Sequence, residues 1–188
     1  MYLVLGLGNP GPRYERTRHN AGFLAVDFLT GKHRIKLAER KFYSLCGNGE
    51  VGGCPVMVCK PMTYMNESGK SARSITAALR IPPENVIVVH DDIDIPFGKI
   101  KVKHKGGAGG QRGVLSIMEA LRTDLFSRVR IGVGRPEHKD DIVDYVLSPF
   151  ENGEWSELDR VIEQAAELVE RTLREFNNRT KLREEERG

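Results

Sequence analysis

Apolar residues along the chain fall into two periods, one of strands and one of helices. Tyr2 to Leu5 and Val86 to Val89 are short, continuous apolar runs, which suit strands covered on both faces. Phe42 to Cys46, Gly49 to Gly53 and Pro55 to Cys59 read as strands joined by glycine-bearing turns, and Val129 to Val133 as a further strand. Lys99 to Lys103 alternates strictly, with lysine on one face and Ile100 and Val102 on the other. Elsewhere the period is helical. Ala21 to Leu29 places Phe23, Leu24, Phe28 and Leu29 toward a core, with Asn20 in position to cap it. A second helix, from about Lys70 to Leu79, must stop before Pro82-Pro83. A third carries Val114, Ile117, Met118 and Leu121 on one face, and Asp140 to Leu147 reads as a short fourth. From Trp155 through Leu158, Ile162, Ala165, Val169 and Leu173 to Phe176 the phase holds for about six turns, so a long C-terminal helix is expected.

Alternating strands and helices with an early antiparallel hairpin make the fold class α/β. The expected architecture is one domain over 1–178, with a mixed, mostly parallel twisted sheet and helices on both faces. Residues 31–41 are basic and weakly patterned, and read as a surface connection. The stretch 179–188 is charged and without period, and is expected to fray. Three polar loops follow apolar strands: Gly6 to Asn20, Lys60 to Gly69, and His90 to Asp94. In open α/β sheets ligands gather beyond the carboxyl ends of strands, so one shared cleft is expected there. Pro136 to Ser148 is expected to form a cover over it.

Composition narrows the class without naming an activity. The chain has 188 residues, 39% hydrophobic and 29% charged, with a formal net charge of +3, which permits a nucleic-acid partner without requiring one. Cys46, Cys54 and Cys59 contain no C-x-x-C pair and are expected to be free thiols rather than a disulfide or a zinc site. No apolar run approaches the ~18 residues of a membrane helix, and the chain opens directly on a strand, so a cytoplasmic protein is expected.

The loops carry the chemistry. Gly6-x-Gly8-x-x-Gly11 has the letters of a dinucleotide fingerprint, but Pro10 and Pro12 stiffen the loop and the helix waits until Asn20. His90-Asp-Asp-Ile-Asp94 invites a metal reading, yet alternation sends Asp91 and Asp92 to opposite sides and no second dense acidic cluster is available to complete a metal shell. No metal and no cofactor is expected. A carboxylate there is better used to orient an imidazole, and His19 is the candidate. The loops also supply the carboxamides Asn9, Asn20 and Asn66, which donate and accept without titrating. A histidine, a carboxylate and amides without a convincing Ser or Cys nucleophile suggest general-base activation of water, and hydrolysis of an ester or similar acyl group. The helix N-terminus beside His19 is expected to keep its ring neutral near neutral pH. Lys99, Lys101, Lys103 and Lys105 share one strand face, which is either a solvated edge or a phosphate-binding stripe. Arg13, Arg16, Arg18, Arg128 and Arg130 add positive charge near the site loops.

Five blocks in register resemble bacterial peptidyl-tRNA hydrolase: Gly6-Leu-Gly-Asn-Pro-Gly11, Thr17-Arg-His-Asn-Ala-Gly22, Lys60-Pro-Met-Thr-Tyr-Met-Asn66, His90-Asp-Asp-Ile-Asp94 and Arg130-Ile-Gly-Val-Gly-Arg-Pro136. The resemblance implies a monomeric, metal-independent esterase that acts on peptidyl-tRNA and recycles tRNA. It implies that His19 is the base and Asp91 its carboxylate partner. It also implies that Asn9, Asn66 and Tyr14 contact substrate or water, and that Lys101, Lys103 and Arg130 lie toward tRNA phosphates; Lys105, next on the lysine stripe, is expected to join them. One departure stands out. Where the family usually has His-Asn-Gly, this chain has Gln111-Arg112-Gly113. Two readings are open: Gln111 supplies the missing carboxamide, or Arg112 binds a substrate carbonyl or phosphate. A relative that keeps the fold and basic face but only binds RNA is the alternative to an enzyme.

Overall fold

The computed structural model describes residues 1–185 and is α/β, as the alternation of patterns predicts. Seven strands form one sheet: β1 (Tyr2–Gly6), β2 (Glu39–Lys41), β3 (Ser44–Val51), β4 (Cys54–Pro61), β5 (Val86–Asp92), β6 (Ile100–Lys103) and β7 (Ser127–Gly132). Their spatial order is β2-β3-β4-β1-β5-β7-β6. The central four, β4-β1-β5-β7, run parallel, and antiparallel strands lie outside them on both sides. Every residue of β1 and β5 is buried, which is what continuous apolar runs in the middle of a covered sheet require.

The helices are α1 (Ala21–Lys32), α2 (Ser68–Leu79), α3 (Arg112–Leu121), α4 (Ile142–Val146) and α5 (Asn152–Glu185). They enclose two cores. One gathers Val4, Val26, Ile87, Val129 and Ile131 with Val161, Ala165, Val169 and Leu173 of α5. The other gathers Leu3, Leu5 and Val88 with Ile75 of α2 and Val114 and Ile117 of α3. Successive residues of β1 therefore supply opposite cores, as the pleat demands.

Several expectations need correction. Within 31–41 lies a short edge strand, β2, whose Glu-Arg-Lys sequence carries no apolar signal. Gly49 to Gly53 is no separate strand but the end of β3 and the turn at Gly52-Gly53, both with positive φ. That turn sets Cys46 opposite Cys59, with Cα atoms 4.3 Å apart, and the two are joined as a disulfide. Only Cys54 remains free, and it is buried. Phe28 lies on the outer face of α1, 36% exposed, whereas Phe23 and Leu29 enter the core. Helical structure continues past Phe176 to Glu185, into the stretch expected to fray; 186–188 lie outside the described residues.

Candidate active site

The chain between β1 and α1 folds through two single turns of 3-10 helix, Pro12–Tyr14 and Arg18–Asn20, and delivers His19 to the carboxyl end of β5. Gly22 makes this approach possible. A Cβ there would strike the Val89 carbonyl and lie 2.6 Å from the Leu7 backbone. Gly8 is close-packed too, since a Cβ would sit 2.7 Å from the Phe23 ring. These glycines serve contact between helix and strand rather than a phosphate cradle.

Asn20 does not cap α1 with its side chain. Its Oδ1 instead accepts from the Asn9 N–H at 2.9 Å, while its Nδ2 donates to the Asn9 carbonyl at 3.0 Å. One buried amide thus ties the two ends of the loop together. The Asn9 side chain is fixed in turn: Oδ1 accepts from the Met65 N–H at 2.8 Å. Because a backbone N–H can only donate, the orientation of the amide is set, and Nδ2 is the end left for the cleft.

His19 and Asp91 meet at the floor. Nδ1 of His19 lies 2.8 Å from Asp91 Oδ2, with the imidazole 13% and the carboxylate 2% exposed. An ionised carboxylate accepts only, so Nδ1 carries the proton and Nε2 is the ring nitrogen with a free lone pair. Burial opposes a charged ring, but the charge of Asp91 and its hydrogen bond outweigh that, and the His19 pKa is raised above the ordinary 6.5; Arg112 pulls weakly downward. The carboxylate in direct contact thus acts against the helix N-terminus, which favours the neutral ring. For Asp91, burial works upward, but His19 and a hydrogen bond from Gln111 hold its pKa below the usual carboxylate range.

Gln111 and Arg112 are adjacent in sequence but differently placed. Gln111 is 8% exposed; its Oε1 accepts from the Val114 N–H at 2.8 Å and its Nε2 donates to Asp91 Oδ1 at 3.0 Å. It borders the cleft, but its amide is taken up inside the protein. Arg112 opens α3 and stands exposed on the cleft wall. Asn66 also lines the cleft and is exposed. Tyr14 is only half-buried and does not belong to the lining.

The cleft has a volume of about 300 Å³. Its other wall is apolar, formed by Ile93 and by Ile142, Val143, Val146 and Leu147 of the α4 segment. These apolar lining residues were not singled out beforehand, although their i, i+1, i+4, i+5 spacing is visible as a helix face. Arg18 holds the segment after α4 in place. Its guanidinium donates to Ser148 Oγ (2.6 Å), the Pro149 carbonyl (2.8 Å) and Glu154 Oε2 (2.8 Å), and lies 4.3 Å from the Tyr145 ring centre.

The acidic run does not converge. Asp91 turns to His19, Asp92 to Arg130 at 2.8 Å, and Asp94 to Arg135. Among the described residues no group of three or more His, Cys, Asp or Glu side chains is arranged to hold a metal. Asp92 also lines the cleft, so its pairing with Arg130 connects the cleft to the basic strand. Lys101 stands opposite Arg130, and Lys103 opposite Arg128, in the β6–β7 register. Directly opposed residues share a face, so Lys101, Lys103 and Arg130 form one stripe. Lys105 is exposed on the bend beyond the strand. Arg128 is different: 2% exposed, it donates to the Gly107 carbonyl at 2.9 Å and to that of Gly106, and so supports the glycine-rich turn.

The family model described as peptidyl-tRNA hydrolase matches residues 3–187. A protein of that name from Carboxydothermus hydrogenoformans is 45% identical over 179 residues, covering 95% of each chain. Another, from Aquifex aeolicus, is 44% identical over 171 residues, covering 91% of this chain and 89% of its own. The crystal structure of peptidyl-tRNA hydrolase from Acinetobacter baumannii superposes with a TM-score of 0.89 at 37% identity, covering 95% of this chain and 91% of that one. Sequence match over nearly the whole length and a shared fold agree: this chain belongs to the peptidyl-tRNA hydrolase family.

Proposed function

We propose that this protein hydrolyses peptidyl-tRNA at the ester between the peptide's terminal carboxyl and the 3′ ribose, with His19 as general base. The observation that carries this reading is the His19–Asp91 pair, which leaves Nε2 as the available lone pair in a cleft bordered by amide donors. Nε2 takes a proton from water while the water oxygen adds to the ester carbonyl. The developing oxyanion is met by the Asn9 Nδ2, with Asn66 and Arg112 on the cleft wall as further donors. Collapse of the tetrahedral intermediate breaks the bond to the ribose oxygen, which takes the proton back from the imidazolium. Asp91 stabilises that cation while it exists.

The basic stripe of Lys101, Lys103 and Arg130, with Lys105 beyond it, supports a polyphosphate partner next to the cleft. A single chain supplies every group used, which suits a monomer. No helix among the described residues is long and apolar enough to cross a membrane. The comparisons do not favour the reading as a non-catalytic RNA binder. The test is turnover of purified peptidyl-tRNA, with free aminoacyl-tRNA as the control substrate. Wild type releases peptide, and His19→Ala loses ~10²–10⁴ of that rate. Near-native turnover by the variant would refute the assignment.

A further inference from the structure

We propose that Gln111 is a positioning residue for catalysis, locking Asp91 in the orientation that holds His19. This rests on the reading of His19 and Asp91 given above, and it concerns a residue at which this chain departs from the pattern it otherwise resembles.

The geometry leaves the Gln111 amide no freedom. It stands at the N-cap of α3, where its Oε1 accepts from the Val114 N–H at 2.8 Å. That donor has no alternative role, so Oε1 cannot turn away without leaving a buried N–H unpaired. The NH₂ end must then face Asp91, where Nε2 lies 3.0 Å from Oδ1, with Met65 Sδ at 3.3 Å on the same side. Oδ2 remains for His19 at 2.8 Å. A carboxylate with one anchored oxygen cannot rotate about its Cβ–Cγ bond, so the second oxygen keeps its aim at Nδ1. The start of α3 thereby becomes part of the base's support. Gln111 also draws charge toward Oδ1, which moderates how strongly Oδ2 favours the protonated ring.

Serine is a preferred helix N-cap, but its side chain is too short to reach Asp91. Gln111→Ser therefore keeps the cap and removes only the bond to the carboxylate. Gln111→Glu keeps the length but sets a second carboxyl against Asp91. When ionised, that carboxyl adds negative charge beside the pair and further favours the imidazolium.

The experiment combines pH profiles of kcat and KM on peptidyl-tRNA with NMR titration of the His19 ring, for wild type and both variants. Thermal midpoints are measured alongside. With Gln111→Ser, kcat falls roughly tenfold to a hundredfold with KM within about twofold, while the thermal midpoint stays near wild type. In Gln111→Glu the acid limb of kcat/KM and the His19 titration both move to higher pH. The inference is overturned if Gln111→Ser keeps wild-type kcat. It is equally overturned if the His19 titration is unchanged in Gln111→Glu. The ring titration needs no substrate, so it decides the role of Gln111 even if wild type failed to cleave peptidyl-tRNA, which would refute the functional reading separately.

Discussion

Asp91→Asn is nearly isosteric, yet the network around Asp91 makes it severe. The carboxylate accepts from two donors, His19 Nδ1–H through Oδ2 and Gln111 Nε2 through Oδ1. An amide accepts with one end only. Gln111 cannot reverse without abandoning the Val114 N–H, so the amide oxygen must face Gln111 and the new NH₂ must face His19. The ring then has to accept at Nδ1 and carry its proton on Nε2, which leaves no base in the cleft. Restoring the productive tautomer breaks a buried hydrogen bond, at about 1–3 kcal/mol, so roughly one molecule in ten to one in a hundred is competent. The imidazolium of the transition state also loses a charged partner, about 2 kcal/mol more and thus roughly a further thirtyfold. The expected fall in kcat is ~10³, approaching the ~10⁴ that a reversed tautomer costs in triad hydrolases. KM should hardly change, because Asp91 is 2% exposed and both its oxygens are engaged by His19 and Gln111. The assay is peptide release under saturating N-acylated aminoacyl-tRNA, with the ring tautomer followed by nitrogen NMR. A loss of less than tenfold, or an Nδ1–H tautomer in the variant, would refute the reasoning.

Further consequences follow from the same geometry. Since the base acts only when neutral and Asp91 raises its pKa, kcat/KM should fall on the acid side through an apparent pKa above 6.5; a midpoint below 6.5 would contradict the pairing. Asn9→Asp keeps an acceptor for the Met65 N–H but replaces the donor to the cleft with an anion, so kcat should drop ~10²–10³ in a turnover assay. Lys101→Glu with Lys103→Glu should leave kcat close to wild type. The same double variant should raise KM for peptidyl-tRNA and flatten the salt dependence of binding by about two units of slope. An unchanged slope would leave the stripe as a solvated edge.

How much of this was legible beforehand depended on the range of the interaction. The central strands and α5 announced themselves because burial on a regular element imprints its period locally. His19, Asp91, Asn9 and Asn66 were legible as candidates from their residue types, and the fold brings all four to one cleft. What failed was register and pairing in space. Asn20 has the right type and place for a helix cap, but its partner is Asn9, eleven residues back. Cys46 meets Cys59 only because the Gly52-Gly53 turn fixes the hairpin register. β2 is entirely polar, so no hydrophobic pattern could reveal it. Gln111 could be identified as a departure from the family pattern, but its hydrogen bond to Asp91 depends on how α3 meets the end of β5. The helix-terminus argument about His19 named one influence on the ring, and the Asp91 carboxylate expected beside it acts the other way.

The central claim is that water, activated by His19, attacks the acyl carbon of a peptidyl-tRNA ester. It is tested most directly by single-turnover hydrolysis of peptidyl-tRNA in ¹⁸O-enriched water, with wild type and His19→Ala in parallel. The account predicts rapid release by wild type, with the label in the peptide carboxylate and none at the tRNA 3′ hydroxyl, and a release slowed at least a hundredfold in the variant. Label at the ribose oxygen, or equal rates for the two proteins, would contradict it.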